Sequence, residues 1–191
     1  METVRRKQRP QRREQILEAA VALFHERGYE ATGIDEIGEA AEISGPAVYR
    51  HFRNKEEILE TLLRDRGAAT LAEVQAMVEG SRSPQAALDA LIDHHAGWMA
   101  SNPSLAVVAL YERRTLSPQT RAIIDRLERL NVEEWVHLVS QVRAELSDTE
   151  ARIAVHAVLG MGAAVCNYPS GLSAERTAAL IASMMRAGLR R

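Results

Sequence analysis

Apolar residues along this chain of 191 residues recur at three- and four-residue steps, strand-like alternation is absent, and Pro or Gly falls at the breaks. Almost every segment is therefore predicted to be helical. The first helix is expected from about Pro10 to Arg27, with Ile16, Leu17, Ala20, Leu23 and Phe24 on one face and Gly28 as its stop. Two short helices follow. One is capped by Thr32 and runs through Ala41, with Asp35 closing a capping box; the next is capped by Ser44, with Pro46 in its first turn. Asn54 and Glu57 form a further capping box that opens a long helix from Lys55 to about Glu79. Helices are then expected over Pro84 to Ala100, Pro103 to Arg113, Pro118 to Glu145, Thr149 to about Asn167, and Ala174 to Leu189. Ser83-Pro84 and Ser117-Pro118 each place an N-cap before a proline at the first helical position. The expected fold class is all-α, with about nine helices.

Charge changes this picture only through its distribution. The totals, 24 Lys and Arg against 26 Asp and Glu, give a net −2 that would oppose nucleic-acid binding if spread evenly. Instead Arg5, Arg6, Lys7, Arg9, Arg12 and Arg13 crowd the first thirteen residues, and the acid-free stretch from Ile43 to Lys55 carries Arg50, Arg53 and Lys55. Local basic segments of this kind neutralise phosphates while the acidic remainder keeps the chain off random polyanions. The single cysteine, Cys166, allows no intramolecular bridge and fits a reducing compartment. The basic start lacks a following apolar segment with a cleavage site, and no apolar run approaches membrane-spanning length, so a cytoplasmic location without membrane contact is expected.

The informative stretch is Thr32 to Lys55, TGIDEIGEAAEISGPAVYRHFRNK. Two short helices joined around Glu42, Ile43 and Ser44 have helix-turn-helix spacing, with Ile37, Ala41, Ile43 and Val48 placed to lock them together. A helix enters a major groove about 12 Å wide only where its front is slim, and Gly45, Pro46 and Ala47 meet that demand. Tyr49, Arg50 and His51 follow with hydrogen-bonding tips, and Arg53 and Lys55 add charge beside the start of the long helix.

From about Arg13 to Leu63 the chain resembles the TetR family, in the order Ile16-Leu17, Ala19-Ala20, Leu23-Phe24, Gly28-Tyr29, Thr32, Ile37, Ala40-Ala41, Ser44, Tyr49, His51-Phe52, Lys55-Glu56 and Leu59. The resemblance implies a basic arm and DNA-binding domain over 1–54 and an effector-binding and dimerisation domain over 55–191. It also implies a homodimer formed through the last two helices, acting on a double-stranded DNA operator. Carried over residue by residue, it makes Thr32 a phosphate contact and Tyr49 and Lys55 backbone clamps. His51 faces the phosphates or the groove, and Ser44, Pro46, Ala47 and Arg50 lie at the reading face, with Gly45 allowing close approach. Arg5, Arg6 and Lys7 would add arm contacts. Two departures from the family pattern stand out: Glu42 where a turn glycine is usual, and Gly38 where alanine is usual. A non-glycine in a left-handed turn costs about 1 kcal/mol.

On the effector side the resemblance points to His94, His95, Trp98, Met99, Tyr111, Trp135, Leu138 and Tyr168 as pocket candidates. Aliphatic and alanine side chains dominate the helices from Pro84 to Glu145, which suggests an apolar cavity for a lipid, an acyl thioester or a drug-like effector. The bland alternative makes the tryptophans core aromatics and the histidines ordinary part-buried side chains. His94, His95, His137, His156 and Cys166 are metal-ligand types, but no i, i+4 His pair or Cys-x-x-Cys exists, so neither metal nor cofactor is expected. No phosphate loop, nucleophile elbow or metalloprotease pair points to an enzyme, leaving a DNA-binding regulator against a helical enzyme or adaptor. Ala154, Ala157, Val158, Gly160, Met161, Gly162, Ala163, Ala164 and Val165 make the penultimate helix apolar nearly all round, with Leu180, Ile181, Met184 and Met185 as the matching face on the last.

Overall fold

The computed structural model describes residues 2–168 and 170–189, with side chains described from Gln11 onward. Among the described residues the chain is all-α: α1 (Glu2–Arg27), α2 (Ile34–Ala40), α3 (Gly45–Val48), α4 (Lys55–Gly80), α5 (Pro84–Ser101), α6 (Pro103–Tyr111), α7 (Pro118–Val142), α8 (Asp148–Cys166) and α9 (Ala174–Leu189). A 3-10 turn, Glu112–Thr115, joins α6 to α7. Two expected bounds move by more than a turn or break an element: α1 begins at Glu2 with Pro10 inside it, and the expected helix to Arg113 tightens into the 3-10 turn after Tyr111.

Local capping chemistry sets most of the ends. Asn54, Ser83, Ser117 and Ser147 accept the N–H groups of Glu57, Ala86, Thr120 and Glu150. Glu150 closes a full capping box on Ser147, whereas the Glu57 carboxylate reaches past Asn54 to the Arg53 N–H at 2.6 Å. At α2 the cap is Gly33 rather than Thr32. The carboxylate that folds back is Glu36, accepting the Gly33 N–H at 2.7 Å, because Thr32 turns inward.

Apolar side chains collect into two cores. The first joins Ile16, Ala20 and Phe24 of α1 to Ile37, Val48 and Phe52, and takes in Ile58, Leu59, Leu62 and Leu63 of α4, beyond the boundary expected at Asn54. Val108, Leu116 and Ile124 from the second half of the chain also belong to it. The second core packs Leu88, Leu91 and Ile92 of α5 and Trp135, Val136 and Val139 of α7 against Val155 and Val158 of α8 and Ile181 and Met185 of α9. The long helix α4, about 39 Å at 1.5 Å per residue, reaches both, entering the second through Val74.

The expectation that no apolar run is long enough for a membrane is corrected at α8, which is long and apolar enough to cross one by length and composition. Its outer stripe of Ile153, Ala157, Gly160 and Ala164 is exposed, at the four- and three-residue spacing that marks one helix face. On α9 the expected single face is two. Ile181 and Met185 are buried within the chain, while Leu180 and Met184 are each 43% exposed.

The helix-turn-helix link shows why its two unusual residues stand where they do. The Glu42 N–H donates to the Glu39 carbonyl and the Ile43 N–H to the Gly38 carbonyl, which is a Schellman closure of α2 with Glu42 in the left-handed position at φ 55°. The turn backbone also passes so close to α2 that a Cβ on Gly38 would sit 3.0 Å from the Ile43 carbonyl oxygen and the Gly45 nitrogen. Gly38 thus allows the close approach, and Glu42 carries the strain. Glu42→Gly is expected to raise stability by up to about 1 kcal/mol, measured as a higher denaturant midpoint at unchanged slope.

Candidate functional site

The short helix α3 and the turn after it present an exposed face. Ser44, Pro46, Tyr49 and Arg50 are exposed, with Tyr49 at 56%, and Ala47 and His51 are part-buried beside them. Ser44 stands at the N-cap of α3 but its side chain makes no capping bond. Arg53 is 82% exposed and pairs with Glu57 at 3.0 Å.

Three expected contacts lie inside the fold instead. Thr32 is 2% exposed, and its hydroxyl donates to the Gly28 carbonyl at 2.8 Å, so it holds the α1–α2 loop rather than facing a phosphate. Gly45 is buried. A Cβ there would meet the Asp35 carboxylate at 1.7 Å, so the glycine makes room for α2, not for DNA. The Lys55 ammonium donates to the carbonyls of Tyr29 at 2.6 Å, Thr32 at 2.9 Å and Glu30 at 3.4 Å, and sits 4.3 Å from the Tyr29 ring centre. An ammonium has three donors, so Lys55 is occupied in tying α4 to the loop after α1. Phe52 is 1% exposed beneath Arg13, whose guanidinium stacks on its ring at 4.6 Å and donates to Thr61 at 3.2 Å. The side chains of Arg5, Arg6 and Lys7 lie outside the described residues.

A cavity of about 370 Å³ lies between the two cores. Along α4 it occupies the stretch from Leu63, the last residue of one core, through Arg66, Gly67 and Thr70 to Val74, the first of the other. Leu91, His94, His95, Trp98 and Met99 of α5, Ala106, Ala109 and Leu110 of α6, and Leu127, Glu128, Asn131, Val132 and Trp135 of α7 complete most of the wall, and α8 closes it with His156, Leu159, Gly160 and Ala163. Of the expected pocket residues, His94, His95, Trp98, Met99 and Trp135 meet here. Leu138 is instead packed in the second core at 2% exposure, Tyr111 is 55% exposed at the end of α6, and Tyr168 lies on a separate recess with Leu172. Sequence reasoning missed the polar side of the wall, Arg66, Thr70 and Asn131. Helical spacing with Leu63 and Val74 on α4 and with Trp135 on α7 places them on the inner face.

That polar side is organised. Arg66 donates to the Thr70 hydroxyl at 2.7 Å and to the Glu73 carboxylate at 2.7 Å, and its guanidinium lies 4.6 Å from the Trp98 ring centre. The same Glu73 oxygen is 3.1 Å from His94 Nε2. Burial would raise the Glu73 carboxyl, but the Arg66 hydrogen bond and charge, with His94, hold it below the usual carboxylate range. The His95 ring meets Trp135 edge-on, and its Nε2, like the Asn131 Oδ1, is sealed from solvent without a hydrogen-bond partner among the described residues. Burial, with the neighbouring His94 and Arg66 charges, pushes the His95 imidazole down to about 4. Two links join the corner between α6 and α7, both of which wall this cavity, to the reading end. Glu112 accepts the Tyr29 N–H at 3.1 Å, and Glu56 accepts the Ser117 N–H at 2.9 Å.

A helix-turn-helix with an exposed reading face, joined by one long helix to a chambered helical body, defines a ligand-responsive DNA-binding architecture. Residues 16–62 match the model of bacterial regulatory proteins of the tetR family, and residues 81–189 match a tetracyclin repressor-like C-terminal domain. The chain belongs to the tetR family of bacterial regulatory proteins, which are transcription factors and not enzymes. It is 32% identical over 133 residues to the HTH-type transcriptional repressor KstR2 of Mycobacterium tuberculosis strain H37Rv, covering 68% of this chain and 66% of that protein's length. The structure of the ketosteroid transcriptional regulator KstR2 of M. tuberculosis shares the fold, with a TM-score of 0.82 at 24% identity, covering 94% of this chain and 95% of the other. AibR, solved in complex with isovaleryl coenzyme A and operator DNA, aligns with a TM-score of 0.77 at 26% identity, covering 91% and 97%.

Because the fold favours neutral His95, the stability this contributes is intact above pH 6.5 and is lost as the pH falls from there toward 4. His95→Phe is expected to unfold less readily than the wild type in acid, with a difference on the order of 2 kcal/mol at pH 5 that shrinks toward zero at pH 7, read from denaturant midpoints.

Proposed function

We propose that this protein is a cytoplasmic homodimeric repressor that grips a palindromic operator through α3 and the turn after it, and that a small, mainly apolar effector in the α4–α8 cavity releases it. The observation that carries this reading is the placing of the cavity between the two cores on α4, so that its contents bear on the helix that holds the reading head. An effector that binds more tightly to a state whose two heads are wrongly spaced for half-sites about 34 Å apart shifts the population off DNA.

The exposed apolar stripes on α8 and α9, Ile153, Ala157, Gly160 and Ala164 beside Leu180 and Met184, support pairing of two copies through these helices. Exposed Tyr49 and Ser44 suit phosphate contact, and exposed Arg50 suits guanine, the commonest base read by arginine. The isovaleryl coenzyme A named with AibR favours an acyl thioester among the apolar effector classes.

The test is a gel shift on DNA upstream of the protein's own gene at several salt concentrations. A sequence-specific, salt-sensitive shift is expected. Tyr49→Ala should weaken binding to all sequences alike, whereas Arg50→Ala should remove about 1–3 kcal/mol of discrimination at one base pair per half-site. An Arg50→Ala protein with every base preference intact would remove Arg50 from the reading set, and no specific shift at any salt would overturn the DNA-binding role.

A further inference from the structure

Among the described residues that wall the cavity, Arg66 is the sole permanent cation. It is also held in place from three sides. Its Nε–H is taken by Thr70 at 2.7 Å and one terminal nitrogen by Glu73 at 2.7 Å, and the plane rests on Trp98 at 4.6 Å. A guanidinium carries five N–H donors in a flat fork, so these contacts leave three of them unused. A preoriented, partly desolvated arginine beside a wall of Leu63, Val74, Leu91, Met99 and Leu159 recognises one kind of molecule, an apolar body ending in an acceptor oxygen.

Glu73 narrows the choice further. Its carboxylate already offsets the Arg66 charge and also holds His94. A doubly charged phosphate would be repelled by that carboxylate at close quarters. An acyl oxygen, carried by a neutral thioester or by a singly charged carboxylate, is tolerated.

On the footing that this cavity is the effector site, we propose that it binds acyl compounds with the acyl oxygen accepting hydrogen bonds from Arg66 and the hydrocarbon body lying toward Trp135. Arg66, Thr70 and Glu73 all stand on α4, so the polar end of the effector is seated on the helix that continues into the reading head. Arg66 is a specificity-determining residue here, and Glu73 sets the charge that the site accepts.

Both tryptophans of the chain, Trp98 and Trp135, wall the cavity, so intrinsic fluorescence reports its occupancy without a label. The full-length protein is titrated with dodecanoate, dodecanoyl coenzyme A and dodecanol, with calorimetry in parallel. At least one acyl probe is expected to bind ten times or more tightly than the alcohol, and Arg66→Met should abolish that preference. Whichever acyl probe binds more tightly identifies the source as free acid or thioester. Should Arg66→Met disturb folding, Glu73→Gln keeps a hydrogen-bonding side chain without the charge. It is expected to tighten dodecanoate severalfold and the neutral thioester carbonyl much less.

The proposal is overturned if the alcohol binds as well as both acyl probes, or if Arg66→Met retains the acyl preference. It is equally overturned if dodecanoate binds the wild type and Glu73→Gln leaves that affinity unchanged, or if no acyl probe between octanoate and palmitate, free or as thioester, perturbs the tryptophans or releases heat. A gel shift of the unliganded wild type is read separately: its failure removes the DNA-binding role, while an acyl preference lost with Arg66 still stands.

Discussion

Everything in this molecule hangs on α4 being shared. Its first three turns pack Ile58, Leu59, Leu62 and Leu63 into the core beneath the reading head, and Val74 enters the core of the helical body. Close packing resists continuous deformation within each core. Between them, along Arg66, Gly67 and Thr70, the packing gives way to a cavity, with Gly67 lying against Leu127 of α7 where a Cβ would be only 3.3 Å away. The cavity therefore lies where neither core fills the space beside α4.

The helical body touches the reading head by a second route. Val108, Leu116 and Ile124 sit in the N-terminal core, and the Glu112 and Glu56 carboxylates accept backbone N–H groups across the junction. Carboxylate bonds to backbone N–H are charge-assisted and directional, so they fix the orientation of the reading head more sharply than apolar contact does. Ala109 of α6 and Leu127 of α7 line the cavity on the helices that flank this junction. The cavity and the head are thus joined both along α4 and through the α6–α7 corner.

Around α3, polar residues divide between those that hold the head together and those that face outward. Lys55, Thr32 and Arg13 are occupied with carbonyls, a buried hydroxyl or an aromatic ring. Ser44, Pro46, Tyr49 and Arg50 face solvent. The first group makes a four-residue helix stable enough to present the second, since a helix that short has almost no stability of its own.

The helices, four of their caps and the helix-turn-helix were legible in the sequence because they depend on neighbours a few residues apart. Ser83-Pro84, Ser117-Pro118, Ser147 with Glu150, and Gly28 at φ 83° act within one turn of where they stand. The left-handed strain at Glu42 was legible for the same reason. What required the tertiary structure was the partner of each side chain across the fold. Lys55 and Thr32 were indistinguishable from phosphate contacts until the loop after α1 supplied their carbonyls. Gly45 looked like a concession to DNA until Asp35 was found over it. Arg66 and Asn131 carried no local sign of a role until the cavity opened between their helices, and Tyr111 and Tyr168 looked like pocket until those same helices left them outside. Sequence determines what a residue can bond to and which helix face it occupies. Only the packing of helices distant in the chain decides what stands opposite that face, because burial and partnership are set by crossings that no local pattern encodes.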